Sequence, residues 1–462
     1  MFYPLRSACR RIALVSKMFA SSTSSTDTPV HRKERYLLLL SMLFAFVLMS
    51  AYSLLKPLRD EVASNHHDAI SVLWSGTFLV MLAVVPFFGW ASSRLPRRKL
   101  VPYVYRFFLV NLVVFYVLQG QLPESGGART ALDYVFYIWV SVFNLFALSL
   151  FWSFLADLFR SEQGQRLFGR VMMGATLGAI CGPLLVTLLV THLGAKNLLL
   201  ISMLLLEIAV WCFRRLDRSY SGQATLSTPP AALGGRVLDG ARTVWHSPYL
   251  RQICLYLLLF LVSGGFLYRL KAGFAHSYFL DRDERTAFYA NIEVMSNTLT
   301  LLLQLFVTGK LLQRRGVGFT LMILPIATMF TFGVLGAMTS ITTIVIADIL
   351  RRAGNYALAK PAREVLFTVV PRAQKYKSKS FIDTVVYRGG DSAVSWMYDF
   401  FERGLSASEL AYCVVPFAAL WALCGHRLGK SYQRTQLEFS AQLEPPTAAS
   451  PQTGNHSRDL TT

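Results

Sequence analysis

The sequence predicts an all-α integral membrane protein of twelve transmembrane helices in two six-helix pseudo-repeats. Three observations predict it. Of 462 residues, 53% are hydrophobic and 16% charged, and the mean hydropathy is +0.42, more apolar matter than one soluble core can hide. Apolar stretches recur near 37–61, 69–91, 99–119, 132–156, 167–191, 196–213, 249–270, 286–308, 317–338, 341–366, 380–402 and 407–426. Most reach about 20 residues, the length a helix needs to cross roughly 30 Å of hydrocarbon. Finally, the basic residues gather in alternate connections between these stretches.

In chain order, residues 1–35 read as a disordered basic leader. The first 30 residues are Ser/Thr-rich and nearly free of acids, which is transit-peptide-like; a plain disordered leader, or a true start at Met18, is the competing explanation. The first six stretches make an N-terminal bundle over 36–213, in which Gly174, Gly178 and Gly182 recur every four residues and predict close helix packing. A polar, Ser/Gly/Pro-rich linker occupies 214–248, and a second six-helix bundle 249–430. Its weakest member is 380–402, which carries Asp383, Arg388, Asp391 and Asp399. Residues 431–462 read as a disordered tail.

The charge placement orients the chain. HRKER (31–35), SRLPRRK (93–99), FRSEQGQRLFGR (159–170), the linker, GKLLQRRG (309–316), PRAQKYKSK (371–379) and HRLGKSYQR (426–434) are all basic. The opposite connections, among them EVASNHHDA (61–69), HLGAK (192–196), KAGFAHSYFLDRDER (271–285) and a tight turn near Thr339, carry fewer cations or balance them with acids. By the positive-inside rule both termini are cytoplasmic, in a bacterial inner membrane, with a plastid or other organelle membrane the lesser alternative. The formal charge of +20 is thereby a matter of topology, and nucleic acid is not an expected partner. The six cysteines have neither metal spacing nor a disulfide framework. With no phosphate-binding lysine loop, Gly-x-Ser-x-Gly, His-Glu-x-x-His or Cys-x-x-Cys, neither an enzyme nor a metal or cofactor is expected.

The loop after the second stretch of each half repeats. Aligned on Gly89 and Gly309, both copies place a polar residue (Ser93, Gln313), an arginine (Arg94, Arg314) and a turn former (Pro96, Gly316) at the same spacing. The pattern resembles the loop signature of the major facilitator superfamily, Gly-x-x-x-Asp-Arg-x-Gly-Arg-Arg, though both copies lack the aspartate. That resemblance implies parallel six-helix repeats with a site at the midplane between them.

Charges inside hydrocarbon cost several kcal/mol unless they face a partner or a wet cavity, so they are the first functional candidates. KPLRDEV (56–62) and KPAREVLFTVVPR (360–372) both write Lys-Pro-x-Arg-acid. Helical spacing puts Lys56, Arg59 and Asp60 on one face, and likewise Lys360, Arg363 and Glu364. Two cationic clusters in opposite halves suit a multivalent anion, a phosphorylated metabolite foremost, with the acids neutralising the empty site. The bland alternative is snorkelling anchors and interhelical ion pairs. Asp157 ends the fourth stretch, Asp348, Arg351 and Arg352 lie inside the tenth, and Thr384, Arg388, Asp391 and Ser395 share a face of the eleventh that reads as cavity lining. His66 and His67, in an outer loop, are exposed histidines with no expected role.

The block NYALAKPAREVLFTVVPRAQKYKSKSFIDTVVYRGGD (355–391) is similar to the C-terminal signature of the ATP/ADP antiporter family, the nucleotide translocases of intracellular bacteria and plastids. The matching positions are Asn355, Tyr356, Ala357, Leu358, Pro361, Arg363 and Glu364, then Lys379, Asp383, Val385, Arg388 and Gly390. Arg59 and Asp60 match that family's first-helix Lys-Asp pair, and FWSFLADLFRSEQGQRLFGRVMMGATLGA resembles its fourth-helix block with Asp157 at the acid. The resemblance implies nucleotide exchange by alternating access, with Arg59, Asp157 and Arg363 at the nucleotide and Asp60 and Glu364 in support. Arginine replaces lysine at 59 and 363, and Asn355 replaces another lysine, so hydrogen-bonding geometry departs from the family pattern. The candidate substrate-binding set is Lys56, Arg59, Asp60, Asp157, Lys360, Arg363, Glu364, Arg388 and Asp391, serving an anionic small molecule, foremost a nucleotide, in a monomer within the bilayer. The alternatives are an organic-anion or proton-coupled efflux carrier using Asp60 or Asp157 as its proton site, and a non-transporting membrane scaffold or sensor.

Overall fold

The computed structural model describes residues 29–94, 97–123, 125–158, 161–220 and 237–443. Those residues are almost wholly helical and include no strand. The helices are α1 (Pro29–Asn65), α2 (Ile70–Arg94), α3 (Arg97–Gln121), α4 (Gly127–Leu158), α5 (Ser161–Tyr220), α6 (Val237–His246) and α7 (Pro248–Tyr278). They continue with α8 (Arg282–Leu303), α9 (Gly309–Ala337), α10 (Ile341–Gly354), α11 (Lys360–Leu366), α12 (Arg372–Phe381), α13 (Tyr387–Glu402) and α14 (Ala407–Leu443). Short π-helical turns, Gln304–Thr308, Asn355–Ala359 and Ile382–Val386, join α8 to α9, α10 to α11 and α12 to α13.

Every apolar stretch expected from the sequence lies in a helix, but eight of the helical spans among the described residues are long and apolar enough to cross a membrane, not twelve. Two reasons account for the difference. First, two of the eight are hairpins. α5 has 60 residues and would run about 90 Å if straight, three times the hydrocarbon thickness. It breaks at Gly194 (φ 76°, ψ 153°). On one side of the break a Cβ on Gly182 would stand 2.5 Å from Ser50 O, and on the other Ser202 Oγ donates to Ala51 O at 3.1 Å, so both legs lie against the same turn of α1. The run from α8 through α9 breaks likewise at Gly316 (φ 77°, ψ 177°). Thr308 before the break bonds Ala357 O at 2.8 Å, while Leu324 beyond it packs against Gly354. Both glycines occupy backbone space that only glycine enters without strain. Second, the segments 341–366 and 380–402 carry too many charges and are interrupted by π turns.

Two apolar cores form. One draws on residues from Leu38 to Leu216 together with Ala272 and Ala290 and includes Phe44, Phe143 and Phe151, with Phe44 and Phe151 meeting edge to face at 5.0 Å. The other runs from Val244 to Tyr432 around Trp421, which packs on Tyr256 and Phe260. The glycine stripe of α5 performs the packing its spacing predicts: a Cβ at 174, 178 or 182 would collide with the α1 backbone at Met42, Phe46 and Ser50. Where a polar linker was expected, α5 runs on to Tyr220 and α6 lies over 237–246, burying Val244 while Arg242, Trp245 and His246 face outward. Residues 221–236 and the leader up to 28 lie outside the described residues. The expected tail begins as helix, α14 extending to Leu443, with 444–462 outside. Of the two loop copies, side chains 88–98 lie outside the described residues, whereas Gly316 makes the turn expected of it.

Candidate functional site

A cavity of about 270 Å³ lies between the two cores. The first half supplies Tyr52, Lys56 and Arg59 from α1, Trp74 and Thr77 from α2, and Tyr137, Ser141 and Asn144 from α4. The second half supplies Phe260 to Tyr268 from one face of α7, Asp348, Arg351 and Arg352 from α10, Asn355 and Tyr356 from the π turn, and Tyr387, Arg388 and Asp391 from α13. The wall is thus cationic and aromatic, with amide and hydroxyl groups between.

Helical spacing explains the cations. Lys56 and Arg59 are one turn apart on α1, and Asp348 and Arg352 one turn apart on α10, so each pair points the same way. Some of their partners come from the other half and some from their own. Lys56 Nζ of the first half reaches Glu293 Oε2 of the second at 2.8 Å, and Arg352 bonds the other oxygen of Glu293. Asp348 collects Lys271 Nζ at 2.7 Å and Arg352 Nε at 3.1 Å, with Arg351 at 3.9 Å. The Lys271–Asp348 pair is nearly sealed, its side chains 1% and 3% exposed. Arg59 donates to Asp60 Oδ1 at 2.7 Å, and the Tyr268 hydroxyl donates to the same oxygen at 3.1 Å. Arg59 also lies over the Tyr137 ring, 5.3 Å from its centroid.

Of the residues expected at a site, Lys56, Arg59, Arg388 and Asp391 line the cavity. Asp60 sits behind Arg59 as its buried counter-ion. Lys360, Arg363 and Glu364 do not line the cavity. In an unbroken helix Arg363 would share the face of Arg352, eleven residues earlier; the π turn at Asn355–Ala359 inserts a residue and rotates the helix beyond it by about 100°. Arg363 instead lies against the Phe260 ring at 5.3 Å, Lys360 against Tyr356 at 5.6 Å, and Glu364 pairs with Lys379 at 2.6 Å on the surface. The side chain of Asp157 lies outside the described residues.

Sequence reasoning assigns no role to Glu293 or to the lining tyrosines. Glu293 is a carboxylate in the middle of an apolar stretch, and that is the available signal. Lys271 reads as a loop residue because apolarity fades at Leu270, whereas α7 continues to Tyr278. Nothing in a sequence distinguishes a tyrosine facing a cavity from one facing lipid.

At the end carrying loops 61–69 and 271–285, the halves are closed against each other. Glu61 receives Arg282 at 2.9 Å and Arg285 at 3.1 Å, Ser64 donates to Ala272 O at 2.8 Å, and Arg269 donates to His67 O at 2.6 Å. His66, expected to be idle, is drawn under the seal to Asp133 at 3.2 Å, and the His67 and His276 rings lie 4.7 Å apart, tilted by 34°. Alongside, Ser71 meets Ser395 at 2.8 Å and Ser75 meets Ser392 at 2.7 Å between α2 and α13.

The sequence model described as the Major Facilitator Superfamily matches residues 37–359. ADP,ATP carrier protein 1 of Chlamydia muridarum is 22% identical, with 91% of this chain and 93% of the carrier aligned. The protein of the same name from Chlamydia trachomatis serovar D is 23% identical over 79% of this chain and 82% of its own. Among solved structures, a POT family transporter in complex with 5-aminolevulinic acid superimposes with a TM-score of 0.63 at 10% identity, over 86% of this chain and 96% of that one.

Proposed function

Since the chain belongs to the Major Facilitator Superfamily and is a multi-pass membrane transporter, we propose that it exchanges nucleotides of the ADP/ATP kind, or closely related phosphorylated anions, by alternating access through the cavity between its halves. The observation that carries this reading is the cavity wall, where Lys56 and Arg59 of one half face Arg351, Arg352 and Arg388 of the other among aromatic rings. Guanidinium and ammonium groups donate charge-assisted hydrogen bonds to phosphate oxygens, and arginine does so in pairs. Tyr52, Trp74, Tyr137 and Tyr356 offer flat faces against which a base can stack. The likeness to the chlamydial ADP,ATP carriers supports the nucleotide as first choice.

The ion pairing at the cavity supports exchange as the mode. Glu293 bridges Lys56 in one half and Arg352 in the other. An incoming phosphate competes for both cations and so frees the bridge that ties the halves. A carrier that has released its anion restores the bridge and waits for another, because a ligand shifts a conformational equilibrium only by its differential affinity for the two states. The seal at Glu61, Arg282 and Arg285 closes one end, as one half of an alternating cycle requires. The basic loops support a cytoplasmic position for the linker end and both termini, and a bacterial inner membrane is the membrane proposed.

The test is uptake of labelled ATP into proteoliposomes loaded with ADP, set against empty vesicles and against Arg59→Ala and Arg388→Ala carriers. Uptake that needs internal nucleotide and collapses in both variants is expected. Equal uptake into empty vesicles would replace exchange by net transport, and no uptake by folded protein would remove nucleotides as the substrate.

A further inference from the structure

We infer that the outer surface of the second half, where α9 and α14 meet, binds the headgroup of an anionic phospholipid carrying two phosphates. α9 beyond Gly316 and α14 pack antiparallel, Gly336 lying against Tyr412 at one end and Gly318 against Gly429 at the other. At the second contact a Cβ on Gly318 would stand only 3.0 Å from Gly429 Cα, so the two backbones touch. That contact joins two helices that carry cationic segments more than a hundred positions apart in sequence: Lys310, Arg314 and Arg315 just before the Gly316 turn, and Arg427, Lys430 and Arg434 on either side of Gly429 in α14, which runs on to Leu443.

Three features separate this cluster from an ordinary basic loop. No Asp or Glu occurs between Glu293 and Asp348, or between Glu409 and Glu438, so the nearest acid of either segment is Glu438, one turn beyond Arg434. All six cations are exposed and, among the described residues, none is paired with a carboxylate; Lys379 and Arg106, by contrast, hold Glu364 at 2.6 Å and Glu207 at 2.8 Å. Finally, the cluster borders the lipid-facing surface. Phe319 and Leu423 are 47% and 61% exposed close to the glycine contact, and the Arg315 guanidinium lies 5.6 Å from the Phe319 ring centroid. Exposed apolar side chains giving way to uncompensated cations mark the level of the headgroups. The positive-inside rule asks for cations at this end but not for six of them, exposed and without a paired carboxylate among the described residues, on two helices in backbone contact. A headgroup with two phosphates seated beside its own acyl chains satisfies both the charge and the apolar flank.

The test uses the full purified chain, delipidated in detergent and followed by native mass spectrometry. It is titrated with cardiolipin (two phosphates), phosphatidylglycerol (one), phosphatidylethanolamine (zwitterionic) and free pyrophosphate. Cardiolipin should bind at least about tenfold more tightly than phosphatidylglycerol, and the combined Arg314→Gln, Arg315→Gln, Lys430→Gln variant should lose at least about tenfold of that affinity. The charge-preserving set, Arg314→Lys, Arg315→Lys and Lys430→Arg, should stay near the parent, which distinguishes lost charge from lost fold. Equal cardiolipin binding by parent and Gln variant, or equal retention of all three lipids, would overturn the assignment. Displacement of cardiolipin by pyrophosphate would do so too, by making the surface a site for free phosphates.

Discussion

A methyl group added at Gly178 offers the sharpest probe of how the first half is held together. A Cβ there would stand 3.0 Å from Phe46 C and 3.1 Å from Met49 Cβ, and nearer still to Phe46 O. Carbon contacts settle at about 3.5–4.0 Å, so α1 and α5 must separate by roughly half an ångström or more. Between membrane helices there is no hydrophobic force to re-form the contact, and the separation also loosens Gly174 and Gly182 on the same stripe. Overpacking of this kind costs about 1–3 kcal/mol. Alanine also gains up to about 1 kcal/mol of helix propensity over glycine, which would blur the result. Gly333, helical with nothing within 4 Å of its own Cβ position, removes that ambiguity. Both Gly→Ala changes gain the propensity, and only one meets a backbone, so Gly178→Ala should lie about 1–3 kcal/mol below Gly333→Ala. The assay is unfolding by a denaturing detergent, followed by tryptophan fluorescence. Coincident midpoints for the two variants would refute the close packing of α1 on α5.

Glu293→Gln leaves Lys56 and Arg352 without their shared carboxylate. The empty carrier should lose about 3–5 kcal/mol of stability, the cost of breaking a buried pair. Saturating ADP should restore much of it in a thermal-shift assay, and uptake into empty vesicles should rise relative to loaded ones; unchanged melting and unchanged exchange would remove the bridge from the mechanism. Ser71→Ala and Ser395→Ala, taken singly and together, should show a coupling of about 0.6 kcal/mol, and at most about 1.7, as measured for hydrogen bonds between membrane helices. Strict additivity would mean that the 2.8 Å contact between the halves contributes nothing. Gly316→Ala should cost about 1–3 kcal/mol through backbone strain at φ 77°, read from the same detergent unfolding with Gly333→Ala as reference, and equal midpoints would count against the hairpin geometry.

The sequence by itself determined that this is a helical membrane protein, which stretches become helix, and that the chain turns within HLGAK and at Gly316, because these depend on local apolarity, length and the conformational range of glycine. It also pointed to Lys56, Arg59, Arg388 and Asp391, since a charge in hydrocarbon stands out against its neighbours. It located the charges without assigning their partners. Only the tertiary structure joined Lys56 to Glu293, 237 positions away in the other half, and Lys271 to Asp348, 77 away in the same half, because ion pairs between helices distant in sequence leave no periodicity in the chain. It alone turned Lys360, Arg363 and Glu364 off the cavity, for a π turn is one extra residue whose effect on facing is invisible to a pattern that assumes 3.6 residues per turn.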